Sequence, residues 1–362
     1  MIPYFLLAIL PVLIGISGIR YRFKVNKKLI YESKTGCIDL FMLILFLMLA
    51  MRGIRCGMDT RQYLRLFYEY GTVSFLGVFE DFDHELGYKL LNKLIYVVFG
   101  DFQIFILVTA CVCVLPLWSF YRKESEVQSL TVALFLSVAP FVMYFSGIRQ
   151  SMAMSLGVFA WYAVRERKWI RFLLLVLLAM QFHTSAFMLL LLYPLYHARI
   201  TKKWLWFVVP CMFAVYALRD AIFLRVLDML WKDYNETSAT GATTMLTLLI
   251  LFGIYSFVIP DEKALDKETI ALRNILLLSI VIQIFALLHP LSMRMNYYYL
   301  VFIPILIPKI AKRSKQQFSQ IAELSVVVMT VYFLYYFIKM VVTDNDALNI
   351  FPYVPFWKNN LL

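Results

Sequence analysis

The sequence predicts an all-α, polytopic membrane protein, and three observations support this fold class. Of the 362 residues, 62% are hydrophobic and only 16% are charged, whereas soluble domains contain about 25% charged residues. Several apolar stretches reach the roughly 17–25 residues that span a hydrocarbon core of about 30 Å. No soluble domain of appreciable size fits between these stretches. We therefore expect one helical membrane domain over residues 1–362, because an open sheet cannot satisfy its backbone in lipid.

Apolar runs separated by charged breaks predict about twelve transmembrane helices. The first lacks a basic leader and a small-residue cleavage site, so we interpret it as a retained helix. The stretch 170–196 is either one tilted helix or two helices that meet at residues 181–185. Counted as two, the expected helices lie near residues 2–19, 37–51, 102–121, 129–147, 151–164, 170–181, 184–197, 204–218, 243–260, 275–291, 297–310 and 324–342.

The distribution of basic residues favours two helices in the stretch 170–196. With two helices, most of the 35 Lys and Arg residues share one face with the loop 20–34. With one helix, they divide almost evenly between the two faces. The positive-inside rule prefers the first arrangement. Both termini are then expected to face outward, together with Gln181 and His183.

The net charge of +12 does not indicate a nucleic-acid partner, because the basic residues lie in short loops between apolar runs. The five cysteines show neither a zinc spacing nor a disulfide framework. The four histidines are scattered without an HExxH spacing, and the acidic stretch "EDFDHE", 80–85, matches no metal loop. We expect no metal and no cofactor.

Arg149 and Gln150 lie between two strongly apolar runs, at a predicted outward turn before a helix. An arginine at membrane depth costs about 3 kcal/mol or more. One interpretation is a topological anchor whose side chain extends to the interface. The other is an anion-binding site, in which Gln150 and the helix N-terminus add donors. Arg294, in "HPLSMRMNYYY", occupies an equivalent predicted turn, so the two arginines predict a diphosphate clamp or two independent anchors.

The long segment near residues 52–100 is expected to be an outward amphipathic or re-entrant element rather than a linker. In "DTRQYLRLFYEY", Tyr63, Phe67 and Tyr70 recur at helical intervals, and "ELGYKLLNKLIYVVF" is amphipathic. Its polar and aromatic side chains are solvated surface groups or substrate contacts. The candidates for binding substrate are Arg52, Arg55, Arg61, Tyr63, Glu85 and Tyr88, together with Gln150 outside the segment.

His183 lies in "AMQFHTSAF", within an otherwise apolar stretch. It either bonds a neighbouring helix or acts as a general base, since the ordinary pKa of histidine is near neutrality. Asp59 is the second candidate for the base, and Glu85 is a third. The residues alone do not distinguish these roles.

Three stretches resemble the EpsG family, the Wzy-like exopolysaccharide and O-antigen polymerases of bacteria. They are "RGIRCGMDTRQYLRLF", "ELGYKLLNKLI", and the run from "SGIRQSMAMSL" through "AMQFHTSAF". The resemblance covers about residues 52–196, with weaker agreement at Arg294 and "FPY", 351–353. Its most specific part extends from Arg149 to His183.

The resemblance implies a lipid-using glycosyltransferase with a GT-C-like architecture in the bacterial cytoplasmic (inner) membrane, with its active face outward. Such polymerases transfer a growing glycan on undecaprenyl diphosphate to the next lipid-linked repeat unit, without a nucleotide sugar. The expected partners are these glycans and membrane lipid, with a chain-length regulator and a flippase. Arg149 and Arg294 would then stabilise the leaving diphosphate, and His183 or Asp59 would deprotonate the acceptor hydroxyl.

Two alternatives come from other classes. A flippase for the same lipid-linked sugars also suits many helices with intramembrane arginines. It predicts two pseudo-repeated halves with polar residues near the midplane, whereas here no repeat is visible and the polar residues crowd one face. A membrane acyltransferase would use His183, but its expected acidic or asparagine partner is not evident.

Overall fold

A computed structural model describes residues 1–17, 21–25, 28–33, 36–80, 84–138, 140–230, 241–343 and 348–358. Within these residues the protein is helical, apart from one antiparallel hairpin of β1 (Tyr21–Val25) and β2 (Lys28–Ser33). The predominance of helix confirms the predicted all-α class in its main feature. The chain forms two compact units, Met1–Leu190 with Val327–Leu362, and Leu191–Val326.

The described residues of the first unit form eight complete α-helices. They are α1 (Ile2–Ser17), α2 (Gly36–Ala50), α3 (Thr60–Thr72), α4 (Leu86–Phe99), α5 (Phe102–Glu124), α6 (Gln128–Ser137), α7 (Ile148–Arg165) and α8 (Trp169–Met180). Helix α5 packs on both α2 and α7, and α1 packs on α2 and α6.

The second unit is also helical. Its helices are α9 (Leu192–His197), α10 (Leu205–Ala217), α11 (Arg219–Leu230), α12 (Ala242–Val258), α13 (Lys267–Ala286), α14 (Pro290–Leu300) and α15 (Ile303–Lys312). The last helix, α16 (Ser319–Val342), begins in this unit and ends in the first. Helix α13 is the centre of the second unit, because it contacts α9, α12, α14 and α15.

Three helices in the described part of the chain are long and apolar enough to cross a membrane: Phe102–Glu124, Lys267–Ala286 and Gln316–Val342. A fourth span results if Lys202–Ala217 and Arg219–Arg225, which are bent by 70° at their junction, count as one. Five further apolar helices, α1, α2, α6, α8 and α12, are shorter. The count of about twelve spans and the GT-C-like architecture stay predictions.

Two predicted helices are interrupted, and proline accounts for both breaks. The stretch 129–147 is not one helix: α6 ends at Ser137, and a 3₁₀ turn at Phe141–Tyr144 follows Pro140. The stretch 297–310 is divided between α14 and α15, with Pro304 in the first turn of α15. Proline has no N–H for the helix ladder and disfavours helical backbone in the preceding residue.

The chain is also broken at residues 181–185, as the charge distribution predicts. Helix α8 ends at Met180, and a 3₁₀ segment, Thr184–Leu191, continues directly into α9. The stretch 170–196 is therefore two segments and not a single long helix. This turn belongs to the first unit, and it is where the candidate site forms.

The amphipathic segment predicted near 52–100 forms α3 and α4, which pack within the first unit. Phe67 of α3 is fully buried, with its ring centroid 5.7 Å from that of Phe102 and 5.6 Å from that of Phe105. Lys93 of α4 donates 2.8 Å to the carbonyl of Gly71 and 2.5 Å to that of Val73. This ammonium satisfies carbonyls that the end of a helix leaves without partners.

Candidate functional site

Three polar segments that are distant in sequence meet at the carboxylate of Glu85. The Nη1 of Arg149 donates to its Oε2 at 2.7 Å. The backbone N–H of Thr184 donates to its Oε1 at 2.8 Å, and the Thr184 hydroxyl lies 3.2 Å from the same oxygen. Glu85 precedes α4, Arg149 lies in the first turn of α7, and Thr184 lies shortly after α8. We call this meeting point the Glu85 cluster.

Gly87 allows the start of α4 to approach the turn after α8. The N–H of Tyr88 donates 3.0 Å to the carbonyl of Gln181. A Cβ atom at Gly87 would lie 2.6 Å from the Cβ and 2.8 Å from the carbonyl oxygen of Gln181. Any larger residue would therefore force α4 and the turn at Gln181 apart. The glycine of the "ELGY" motif allows the close approach that places Glu85 within hydrogen-bonding distance of Thr184.

The electrostatic balance keeps Glu85 ionised. Burial of the carboxyl raises its pKa, but the guanidinium of Arg149 and the N–H of Thr184 lower it further than burial raises it. The net result is a pKa below the ordinary value of 4.5. The exposed fractions are 24% for the Arg149 side chain and 13% for that of Glu85, so the ion pair is largely shielded from water.

Arg149 is incompletely satisfied among the described residues. Its Nε is buried and has no hydrogen-bond partner there. Its guanidinium carbon lies 5.6 Å from the ring centroid of Tyr88, a cation–π distance, and its charge also acts on the buried Tyr63. A buried donor without a partner costs free energy. A phosphate oxygen that enters the site could accept a hydrogen bond from this Nε.

His183 lies beside the cluster with a defined hydrogen-bond pattern. Its Nδ1 accepts the backbone N–H of Ser185 at 3.3 Å and lies 2.7 Å from the Ser185 hydroxyl. A ring nitrogen that accepts an N–H is unprotonated, so the neutral imidazole has its proton on Nε2. In this arrangement Nε2 carries the proton and can donate a hydrogen bond, and the role of His183 as general base stays a prediction.

Asp59 lies next to the segment that leads into α7. Its Oδ2 accepts the hydroxyl of Ser146 at 3.2 Å, and its N–H donates to the same hydroxyl oxygen at 3.3 Å. Gly57, with φ +96°, allows this contact, because a Cβ there would lie 2.1 Å from the carbonyl oxygen of Phe145. Burial raises the pKa of Tyr63 in α3, the charge of Arg149 lowers it, and the charge of Asp59 raises it.

The C-terminal residues 348–356 hold the loop 51–58 in place. The N–H groups of Gly53 and Gly57 donate to this tail at 2.7 and 2.8 Å, and the N–H of Phe356 donates 2.9 Å to Met51. Tyr353 donates 3.0 Å to the carbonyl of Met48. The tail therefore fixes the loop that ends at Asp59.

The remaining predicted residues differ in their environments. Arg52 is buried and donates 2.7 Å to the carbonyl of Tyr144. Gln150 is buried, Arg55 is half-buried, and Arg61 is exposed. Their roles in substrate binding stay predictions.

Arg294 is exposed on α14, in the second unit. His289 precedes this helix and accepts the N–H of Leu291 on its Nδ1 at 3.1 Å. The predicted clamp of Arg149 and Arg294 stays a prediction.

Sequence reasoning did not select Ser146, or His84, whose Nδ1 lies 2.5 Å from the hydroxyl of Tyr70. Ser146 was detectable as the polar residue just before the "GIRQ" motif. His84 belongs to the acidic stretch 80–85, of which residues 81–83 lie outside the described residues. Within the described part of the chain, no group of three or more His, Cys, Asp or Glu residues is placed to hold a metal ion.

The apolar helices and the loop-borne Glu85 cluster define a helical membrane protein with a charged site. A family model identifies it further: the EpsG family model matches residues 38–354, so the chain belongs to the EpsG family, a family of Wzy-like polysaccharide polymerases. The match includes Asp59, Glu85, Arg149, His183 and Arg294. No curated protein and no solved structure matches the chain.

Proposed function

We propose that the protein polymerises oligosaccharide repeat units linked to undecaprenyl diphosphate. The product would be an exopolysaccharide, a capsule or an O-antigen, formed at the outer leaflet of the bacterial cytoplasmic membrane. Membership of the EpsG family supports a polymerase of the glycosyltransferase type. The observation that carries the proposal at the level of residues is the meeting of Arg149, Glu85 and Thr184.

In the proposed reaction, the acceptor hydroxyl attacks the anomeric carbon of the donor glycan. A new glycosidic C–O bond forms, and the C–O bond to the lipid diphosphate breaks. The departing diphosphate takes the electron pair of the broken bond. Arg149 stabilises the charge that develops there, because a positioned guanidinium offers paired donors to phosphate oxygens. Its unpartnered Nε is the donor available for this contact.

The proton of the acceptor hydroxyl needs a base. Both oxygens of Glu85 already accept hydrogen bonds from Arg149 and Thr184. Within the described residues, Asp59 accepts only at Oδ2. We therefore assign Asp59 as the base and Glu85 as the residue that positions Arg149. His183, whose neutral ring has its proton on Nε2, donates a hydrogen bond to the substrate.

The experiment that tests this function is the length distribution of surface glycan from cells with and without the gene. Loss of long chains with retention of single repeat units is expected for a polymerase, because export continues. Loss of all surface glycan, with lipid-linked units trapped inside, would instead identify a flippase. An unchanged ladder would contradict both functions.

A further inference from the structure

Helices α3 and α4 of the first unit present side chains of opposite polarity at their surfaces. The exposed face of α3 carries Arg61, Arg65 and Glu69, which recur every four residues. Tyr63 and Phe67 are buried on its other side, so α3 has the polarity of a helix that faces water. In α4 this order is reversed, because its exposed side chains are apolar and its buried side chains include two lysines.

The exposed side of α4 is apolar along its last two turns. Leu94, Val97 and Val98 are 61%, 66% and 60% exposed, and their spacing of three and four residues places them on one side of the helix. We call these three residues the apolar face of α4. The connection that follows α3 adds Phe75 and Leu76, which are 62% and 77% exposed. Groups of large exposed apolar side chains mark a surface that contacts an apolar partner.

The polar side of α4 faces the interior of the protein. Lys89, Asn92 and Lys93 are buried, and Asn92 donates 2.8 Å to the carbonyl of Tyr88. A helix in water turns such residues outward, whereas the charged residues of a helix in lipid face the protein interior. The inverted polarity of α4 therefore indicates lipid surroundings.

The chain that follows α4 identifies the partner of the apolar face. Gly100 ends α4 in the left-handed conformation, and Asp101 caps α5 by accepting the N–H of Gln103 at 2.6 Å. Helix α5 is long and apolar enough to cross a membrane. The apolar face of α4 thus directly precedes the predicted outward end of a membrane span, where the bilayer is the adjoining apolar phase.

The lengths of α5 and α7 give the depth of the Glu85 cluster. The two helices pack on each other, and the pairing of Arg165 with Glu124 joins their ends on the predicted inner side. At 1.5 Å per residue, α5 extends about 33 Å from Glu124 to Phe102, whereas α7 extends about 24 Å from Arg165 to Arg149. Arg149 therefore lies about 9 Å short of the outward end of α5.

Aromatic contacts agree with this depth. The ring centroid of Tyr88 lies 5.6 Å from the guanidinium carbon of Arg149 and 6.2 Å from the ring centroid of Phe105. Phe105 is almost one turn inside α5. Because α4 begins at this level and ends at Gly100, it slopes from the Glu85 cluster up to the predicted outer surface of the membrane.

We propose that α4 lies within the outer leaflet, with its apolar face against lipid chains, and that the Glu85 cluster is recessed about 9 Å below the membrane surface. A substrate carried on a lipid diphosphate would then reach Arg149 sideways from the leaflet rather than from the water above. This route rests on the proposed function, whereas the position of α4 in the leaflet does not.

The test is site-directed spin labelling of the full-length protein in lipid bilayers, in a background without native cysteines. Nitroxides at Leu86, Leu94 and Val98 are exposed to molecular oxygen, which concentrates in lipid, and to a water-soluble nickel chelate. We expect oxygen collisions to dominate at Leu94 and Val98, and the measured depth to increase from Val98 towards Leu86, which adjoins Glu85. The matched controls are Arg65 and Glu69 on the exposed face of α3, where collisions with the chelate should dominate.

A pair of variants that retains the native cysteines tests the same surface. Val98→Asp places a carboxylate on the apolar face of α4, whereas Gln62→Asp makes the same change of charge at an exposed position of α3. In lipid nanodiscs, Val98→Asp should lower the Tm by roughly 5 °C, because a charge in hydrocarbon is costly. Gln62→Asp should leave the Tm unchanged, since surface substitutions in water have small effects.

Four results would overturn the proposal. Dominant collisions with the nickel chelate at Leu94 and Val98 would place α4 in water. Exclusion of both reagents there would show that protein, either a second copy or another partner, covers the apolar face. Equal depths at Leu86 and Val98 would contradict the recessed site, and equal Tm values for Val98→Asp and Gln62→Asp would contradict lipid contact. The measurements contain no glycan, so their failure is distinct from a failure of the proposed polymerase function.

Discussion

At the scale of single residues, Arg149 is central to the account. Its Nη1 pairs with the carboxylate of Glu85, and its own buried Nε has no hydrogen-bond partner among the described residues. We expect Arg149→Ala to reduce polymer formation by about 100-fold or more, the typical effect of removing a donor that stabilises developing charge. Arg149→Lys keeps the charge but not the paired donors, so most of the activity should also be lost. The measurement is the surface glycan ladder together with the amount of folded protein in the membrane.

Arg165 provides a control on the same helix. It lies at the other end of α7 and pairs with Glu124 at 3.4 Å. Arg165→Ala also removes an arginine from an ion pair, but away from the Glu85 cluster. Normal polymer in Arg165→Ala and none in Arg149→Ala is the expected result, whereas equal effects would refute a specific role for Arg149.

Glu85 is expected to make stability depend on pH in the acidic range. Its pKa in the folded protein is below the ordinary value of 4.5, so the ionised carboxylate stabilises the folded state at pH values above 4.5. The stabilisation is lost as the pH falls through the folded-state pKa. Glu85→Gln should therefore have a lower Tm than the wild type at pH 7, and the difference should shrink as the pH falls below 4.5 and through the folded-state pKa. A Tm difference that does not vary with pH would contradict this account.

The pairing of Glu85 with Arg149 could not be derived from the sequence. Arg149 was identified as a candidate because it lies between two apolar runs, and Glu85 because it is an acidic residue of the amphipathic segment near 52–100. The two are 64 positions apart, and helical periodicity describes only contacts within one element. The same limit applies to Ser146 and Asp59, whose hydrogen bond depends on a turn that follows an interrupted helix.

At the scale of elements, the junction between α4 and the turn after α8 requires Gly87. We expect Gly87→Ala to separate these two elements and to destabilise the protein by about 1–3 kcal/mol, the usual cost of overpacking. Activity should fall as well, since Glu85 would lose its hydrogen bond from Thr184. Thermal unfolding and the glycan ladder measure the two effects.

Gly253→Ala is the matched control for this prediction. A Cβ at Gly253 would lie 3.2 Å from Cδ1 of Ile280, the flexible end of a side chain. Alanine also has the higher helix propensity. Gly253→Ala should therefore be tolerated, and a loss of Tm equal to that of Gly87→Ala would show that the close contact at Gln181 is not the cause.

The tail 348–356 is expected to be necessary for the arrangement of Asp59. Truncation after residue 347 removes the acceptors of Gly53, Gly57 and Met58. Gly53 and Gly57 are buried, and buried N–H groups without partners cost about 1–3 kcal/mol each. We expect loss of polymer after this truncation, measured as the glycan ladder, and normal activity after removal of residues 359–362 alone. Activity without the tail would exclude its role in positioning the loop.

Local patterns in the sequence located most helices but not all of their ends. The helix Thr60–Thr72 follows the spacing of Tyr63, Phe67 and Tyr70, and the break at 181–185 follows the charge distribution. The interruptions near Pro140 and Pro304 were missed, because both prolines lie in long apolar runs. Hydropathy over such a run measures the transfer of side chains to lipid and is insensitive to the backbone N–H that proline lacks.

At the scale of the whole molecule, the predicted orientation can be tested by labelling single cysteines. Arg61 and Lys203 are exposed, and they lie on opposite predicted faces. In a background without native cysteines, Arg61→Cys should react with a membrane-impermeant reagent on intact cells, whereas Lys203→Cys should react only after permeabilisation. The reverse pattern would refute the outward face of the Glu85 cluster.

The central claim is that the Glu85 cluster joins lipid-linked repeat units without further energy input. The most direct measurement reconstitutes the purified protein in vesicles with a lipid-linked repeat unit as the sole substrate and resolves the products by size. We predict products of several units with the wild type and with Arg165→Ala, and unchanged substrate with Arg149→Ala. Absence of extension by the wild type, or undiminished extension by folded Arg149→Ala, would contradict the account.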